Sequence, residues 1–122
     1  KQNDFLSAQK LIETLMGVPY KYKIVGSHVS TDNLQGNLIG GNLTIINQII
    51  GTESEPDWEN SLLFIEEIDE YYYHIDRMVL HLKRSGILTK INGWINGYFT
   101  DIKDNSISFG QNEDQIIHYI LD

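Results

Sequence analysis

Cysteine is absent from this 122-residue chain, proline occurs only twice, and basic residues are outnumbered by acidic ones. Without cysteine the chain can form no disulfide, no thiolate zinc site and no cysteine nucleophile. It carries 9 lysine and arginine residues against 17 aspartates and glutamates, a formal net charge of −8. This balance argues against a nucleic-acid partner, because neutralising phosphates requires a basic excess. No apolar run approaches the roughly 18 residues of a membrane span, so no membrane partner is expected.

The pattern of apolar residues predicts one α/β domain. The chain is long enough for a single hydrophobic core. Segments with helical spacing alternate with short extended segments, which is typical of α/β proteins. The predicted helices begin at Asp4, Asn42, Tyr71 and Asn112, and the predicted extended segments are 20–25, one ending at Gly41, 62–65 and one within 87–99. No extended segment follows the last helix, so the alternating unit is expected to be incomplete at Asp122.

An apolar run at 62–65 ends abruptly in four carboxylates, those of Glu66, Glu67, Asp69 and Glu70. Four consecutive apolar residues are expected in a strand that is covered on both faces. Proteins of the α/β class often place chemistry where a strand gives way to a helix. The same acids could simply keep the strand end soluble and complement the next helix N-terminus. Because side chains alternate along a strand, Glu66 and Glu67 are predicted to point to opposite faces.

A Gly-Gly-Asn turn precedes the second predicted helix. Gly40 and Gly41 permit a positive φ or the close approach of another backbone or a ligand. Asn42 is a suitable N-cap for the helix. Free N–H groups at such a turn can bind an anion, but an ordinary tight turn explains the pattern equally well. The spacings of a P-loop and of a dinucleotide fingerprint are both absent.

The four histidines lack a catalytic or metal-binding context. His28 lies in a polar loop, and His118 falls within the last predicted helix. His74 and His81 share a helix face, yet they would need further ligands to hold a metal. No serine stands in a Gly-x-Ser-x-Gly elbow. The residues taken alone therefore assemble no complete mechanism, and no metal site is predicted.

Several segments nevertheless resemble a known family. They are Gly-Asn-Leu-Ile-Gly-Gly-Asn-Leu-Thr at 36–44, Leu-Leu-Phe-Ile-Glu-Glu at 62–67, Tyr-His-Ile-Asp-Arg-Met at 73–78 and Gly-Tyr-Phe-Thr-Asp at 97–101. In this order and spacing, the chain from about residue 20 to 122 resembles the C-terminal domain of LD-carboxypeptidases. These are serine peptidases of the murein tetrapeptide carboxypeptidase type, and the family also includes the microcin-immunity hydrolases.

The resemblance implies an arrangement of domains and of site residues. Residues 1–122 would be a fragment of a swivelling-type β/α C-terminal domain, truncated before its final strands, with the N-terminal nucleophile domain absent. The family is a Ser–His–Glu hydrolase, and its acid corresponds to Glu66 here. Its histidine lies in a Gly-His segment beyond Asp122, so the fragment alone is expected to be inactive. Gly41 and Asn42 are expected to contact substrate.

The resemblance also implies a reaction and a compartment. The reaction would be hydrolysis of an L,D-peptide bond that releases terminal D-alanine from murein tetrapeptides during cytoplasmic peptidoglycan recycling. It implies no metal and no cofactor. The expected partner is the murein peptide substrate, and a homodimer is one assembly open to the full-length protein. Asp76 and Arg77 are expected to be structural ion-pair partners rather than catalysts.

Two alternatives remain open at this point. One is a hydrolase of the microcin-immunity type, in which the loop at 52–60 with Trp58 would bear on the substrate. The other is a non-catalytic binding domain that keeps the fold without the triad. The three hypotheses differ in substrate and activity, not in the expected fold.

Overall fold

The computed structural model describes residues 2–19, 21 and 33–122. The chain divides into two compact units, Lys1–Asp32 and Asn33–Asp122. The first unit contains helix α1, Gln2–Leu15, which begins two residues earlier than predicted and is followed by a turn at Gly17. The strand predicted at 20–25 and the loop histidine His28 lie outside the described residues, apart from Lys21 in that strand.

The second unit is built on a three-stranded parallel sheet, so the predicted α/β class is confirmed. Its strands are β1 (Asn37–Asn42), β2 (Ser61–Ile68) and β3 (Gly93–Thr100), in the order β1-β2-β3. Its helices are α2 (Leu43–Ile49), α3 (Tyr72–Arg84) and α4 (Glu113–Leu121), with a short 3₁₀ turn at Ile87–Thr89. No helix in the described part of the chain is long and apolar enough to cross a membrane.

One face of the central strand β2 packs against the hydrophobic core. Alternate residues from Ser61 to Glu67 are buried, whereas Leu62, Phe64 and Glu66 on the other face are only partly covered. Leu38, the β1 partner of Leu62, is 69% exposed. The prediction of a strand covered on both faces is therefore wrong within the described residues. The buried face packs against the helices through Leu43, Ile46, Leu63, Ile65, Ile75, Val79, Leu82, Ile116, Ile117 and Ile120.

Two glycines allow the strands of the sheet to approach closely. A Cβ on Gly40 of β1 would collide with the carbonyl group of Phe64 in β2, 2.6 Å from its carbon. A Cβ on Gly97 of β3 would lie 2.8 Å from the carbonyl oxygen of Ile65. Gly97 also belongs to a β-bulge, because the register shifts between Ile65 and Glu67. Glycine in a strand commonly marks such a feature.

Side chains form hydrogen bonds at both ends of helix α4, and the capping box at its start is the one that the sequence predicts. Asn112 and Gln115 form a reciprocal capping box at the start of α4, with bonds of 2.9 and 3.0 Å. At its other end, the Lys83 Nζ of α3 donates a hydrogen bond to the carbonyl oxygen of Ile120. A cation at a helix C-terminus satisfies an orphan carbonyl and complements the helix dipole. The Lys83 hydrogen bond joins α4 to α3.

Candidate functional site

The predicted site residues Gly41, Asn42 and Glu66 lie close together near the carboxyl ends of the parallel strands β1 and β2. Glu66 near the carboxyl end of β2 is the register partner of Asn42, the last residue of β1. Gly41 pairs with Ile65 one position earlier. In open parallel sheets, the crevice beyond the carboxyl ends of the strands is where ligands usually bind. The structure thus brings together the three residues that the sequence analysis singled out.

Glu66 faces the partly covered side of the sheet. Its side chain is partly exposed, and it lies opposite the β-bulge in β3. Within residues 33–122 no group donates a hydrogen bond to its carboxylate. A bulge beside a strand end can redirect a neighbouring side chain. The carboxylate is chemically open to a hydrogen-bond donor such as a histidine N–H.

Glu67 occupies the opposite, buried face, with only 3% of its surface exposed. Its carboxylate accepts four hydrogen bonds. One oxygen receives the Asn42 Nδ2 at 2.5 Å and the Ile68 N–H at 3.0 Å. The other receives the N–H and the hydroxyl of Thr44, at 2.9 and 2.8 Å. We call Glu67, Asn42 and Thr44 the buried carboxylate network.

This network fills the helix N-terminus that the sequence analysis considered as an anion site. The Thr44 N–H donates to Glu67, and the Ile45 N–H donates to the Asn42 Oδ1 at 3.2 Å. Asn42 is therefore the N-cap of α2, as predicted. Gly41 has a φ of 147°, which favours glycine, so the turn depends on this residue for its backbone conformation. The protein's own carboxylate occupies the position that an external anion would take, which agrees with the tight-turn alternative.

The remaining two acids of the cluster fix the connection between β2 and α3. Asp69 forms an ion pair with Lys103, and its carboxylate raises the pKa of that lysine. Glu70 accepts the Tyr71 N–H at 2.8 Å and contacts the His74 Nδ1 at 2.7 Å. Both acids precede α3, as predicted. Their contacts are structural, which leaves Glu66 as the open carboxylate of the four.

The histidines of the described residues lie in other surroundings. His81 Nδ1 is hydrogen-bonded to the Asn47 Oδ1 at 2.9 Å, and His74 contacts Glu70. No cluster of three or more metal-ligating side chains occurs among residues 2–19, 21 and 33–122. Neither Asp76 nor Arg77 forms an ion pair with another described residue, so the prediction of ion pairing is wrong. The Arg77 guanidinium instead lies over the Tyr73 ring, 5.1 Å from its centroid.

Trp58 is a core residue rather than part of an exposed loop surface. Only 2% of it is exposed, and its Nε1 donates to Glu55 at 2.8 Å. Glu55 also accepts the Gly51 N–H at 2.7 Å. The Gly51 and Trp58 hydrogen bonds hold the pKa of the Glu55 carboxyl below its usual value. The buried indole is therefore unavailable for the substrate contact considered for the loop at 52–60.

Sequence reasoning missed the buried carboxylate network and the bulge opposite Glu66. Alternation along β2 predicts that Glu66 and Glu67 diverge, but it does not tell which of them faces the helices. The partners of Glu67 are 25 and 23 residues away in the sequence. The one available signal was Gly97, since glycine within a strand indicates a bulge or a close backbone approach.

Comparison with known proteins assigns the chain to a family of carboxypeptidases. Residues 35–122 match the family model of the LD-carboxypeptidase C-terminal domain. A carboxypeptidase-family protein of Synechocystis sp. is 37% identical over 93 residues, which are 76% of this chain and 31% of that protein. The probable murein peptide carboxypeptidase of Bacillus subtilis is 49% identical over 59 residues, 48% of this chain and 18% of that protein.

Solved structures give the same result. Muramoyltetrapeptide carboxypeptidase from Oxalobacter formigenes aligns with a TM-score of 0.63 and 35% identity, covering 70% of this chain and 30% of that one. The microcin C7 self immunity protein MccF in its wild-type apo state aligns with the same TM-score and 25% identity, covering 70% and 25%. The chain belongs to the LD-carboxypeptidase family, and its residues 35–122 match the C-terminal domain of that family. It spans less than a third of the length of each of these relatives.

Proposed function

We propose that this chain supplies the acid of a serine-type LD-carboxypeptidase that releases terminal D-alanine from murein tetrapeptides. The observation that carries the proposal is the position of Glu66. It lies near the carboxyl end of the central parallel strand, paired with Asn42, and is partly exposed. None of the described residues donates a hydrogen bond to its carboxylate. Such a carboxylate can accept the N–H of a catalytic histidine.

In the proposed mechanism Glu66 acts on the histidine and not on the substrate. The serine and histidine would come from parts of the full-length protein outside residues 1–122. The histidine would take the serine proton as the hydroxyl attacks the L,D-peptide carbonyl, and would then give that proton to the departing D-alanine amine. Glu66 would hold the imidazole in the correct tautomer and stabilise the imidazolium. Water would then hydrolyse the acyl-enzyme by the same proton transfers.

The murein substrate is supported by the names of relatives. Both the Bacillus subtilis protein and the Oxalobacter formigenes structure are named as carboxypeptidases of murein peptides. Identity to the latter is 35%, against 25% to MccF. Burial of Trp58, one residue of the loop considered for a microcin-type substrate, also weighs against that contact. We include in the proposal a cytoplasmic role in peptidoglycan recycling, without a metal or cofactor.

The proposal is tested by incubating the full-length protein with a murein tetrapeptide and measuring D-alanine release. A parallel reaction with glutamyl sulfamoyl guanosine, the ligand in one MccF structure, tests the second hydrolase. Release of D-alanine with an intact nucleotide analogue supports the proposal. Cleavage of the analogue alone would favour the microcin-immunity activity. Binding of the tetrapeptide without cleavage of either compound would identify a non-catalytic binding domain.

A further inference from the structure

We propose that Glu67 is a positioning residue that orients the Asn42 amide toward the peptide substrate. This inference rests on the proposed function and deepens it, because it assigns a role to the acid that the triad does not use. Glu67 is buried, whereas Glu66 beside it is partly exposed. The two carboxylates therefore have separate tasks at one strand end.

The chemistry of the buried carboxylate network supports a positioning role. Burying a carboxylate is costly unless it is hydrogen-bonded, and Glu67 accepts four hydrogen bonds with no cation among its hydrogen-bonding partners. Both of its oxygens are used, one by Asn42 and one by Thr44. A neutral amide of the same shape would present an N–H₂ group to one set of these donors. Glutamine at position 67 therefore cannot accept all four of these hydrogen bonds.

The consequence for Asn42 is a fixed side-chain orientation. Its Oδ1 accepts the Ile45 N–H and its Nδ2 gives one hydrogen to Glu67, so the amide can neither rotate nor exchange its ends without losing both bonds. An asparagine amide has two N–H hydrogens, which leaves the second one uncommitted within the described network. Asn42 pairs with Glu66 across the sheet. The proposal assigns this remaining N–H to an oxygen of the peptide substrate at the same end of the strand.

The test uses Glu67→Gln, Asn42→Ala and the double variant in the full-length protein. We expect Glu67→Gln to raise KM for the tetrapeptide about 10-fold, with a much smaller change in kcat, because a substrate contact is misplaced. In the Asn42→Ala background, Glu67→Gln should change KM no further, which is the signature of one residue acting through the other. The melting temperature should fall in both backgrounds.

Glu55→Gln is the matched control. It alters a carboxylate that bonds to Gly51 and Trp58 instead, and it should lower stability without changing KM. A crystal structure of Glu67→Gln gives a readout that does not depend on activity, and we expect the Asn42 amide to leave its position. An unmoved Asn42, additive KM effects, or a loss of stability alone would overturn the inference. If the wild type releases no D-alanine, the proposed function fails, while the crystal structure still decides whether Glu67 holds Asn42.

Discussion

Glu66 and Glu67 are adjacent in the sequence and lie on opposite faces of the central strand. Glu67 is buried beneath the helices and accepts four hydrogen bonds, whereas Glu66 is partly exposed and lies opposite a β-bulge. The strand alternation thus gives two neighbouring acids different surroundings. One is committed to holding the Asn42 turn, and the other remains open to a catalytic partner.

The close contact between β1 and β2 predicts that Gly40→Ala is strongly destabilising. The added Cβ would collide with the Phe64 carbonyl group, and a backbone atom cannot move aside as a flexible side chain can. We expect a loss of about 1–3 kcal/mol or more in the free energy of unfolding, measured by urea denaturation. Gly41→Ala is the informative comparison. A Cβ at position 41 would meet no atom within 4 Å, so this variant can destabilise the protein only through the backbone φ of 147°. An unchanged stability in Gly40→Ala would contradict the strand register.

The hydrogen bond from the Thr44 hydroxyl to Glu67 is expected to contribute measurably to the free energy of unfolding. Thr44→Val keeps the shape of the side chain and removes the 2.8 Å hydrogen bond to Glu67. Because the variant leaves a buried carboxyl oxygen with one hydrogen bond fewer, we expect a loss of about 1–3 kcal/mol in urea denaturation. Thr44→Ser keeps the hydroxyl and serves as the control, with a smaller loss. An unchanged stability in Thr44→Val together with a loss in Thr44→Ser would show that the methyl group, and not the hydrogen bond, is what stabilises.

Trp58 is predicted to matter for stability and not for substrate binding. Trp58→Ala should lower the free energy of unfolding by about 3–5 kcal/mol, because it empties a core position. Trp58→Phe should cost less and should raise the pKa of Glu55, which loses the indole N–H. The pKa can be followed by NMR of the Glu55 carboxyl carbon. A change in KM for the tetrapeptide in Trp58→Phe would argue that the indole reaches the substrate.

The stability of the loop before α4 is expected to depend on pH through the carboxyl group of Asp104. The Ser108 hydroxyl and the Phe109 N–H hold the pKa of the Asp104 carboxyl below its usual value of 3.8. A depressed pKa in the folded state means that this stabilisation is complete at neutral pH. It is lost as the pH falls below 3.8 and through the folded-state pKa.

Ser108→Ala should therefore raise the Asp104 titration midpoint, measured by NMR of the carboxyl carbon. Asn105→Ala is the control, because residue 105 donates through its backbone N–H and keeps that bond. A midpoint at or above 3.8 in the wild type would be inconsistent with the loop geometry.

Local patterns predicted much of the fold, and long-range contacts account for what they missed. The caps at Asn42 and Asn112 and the apolar run at 62–65 act within a few residues, so the sequence alone locates α2, α4 and β2. The burial of Glu67 depends on partners 25 and 23 residues earlier in the chain. The partial covering of the outer face of the sheet likewise depends on what packs there, which a run of apolar residues does not reveal.

The assignment of Glu66 came from family resemblance, and its surroundings came from the fold. In the sequence, Glu66 was one of four acids with equal claims. The structure gives Glu67 to the Asn42 turn, Asp69 to Lys103 and Glu70 to the start of α3. Because the roles of Glu67 and Asp69 involve partners in distant segments of the chain, no local pattern could have separated these two acids from Glu66.

The most direct measurement of the central claim compares the steady-state kinetics of Glu66→Gln and Glu67→Gln in the full-length protein acting on a murein tetrapeptide. If Glu66 is the triad acid, Glu66→Gln lowers kcat by up to about 10⁴-fold with little change in KM. Glu67→Gln should keep most of its kcat. Equal losses of kcat in the two variants, or an unchanged kcat in Glu66→Gln, would contradict the assignment.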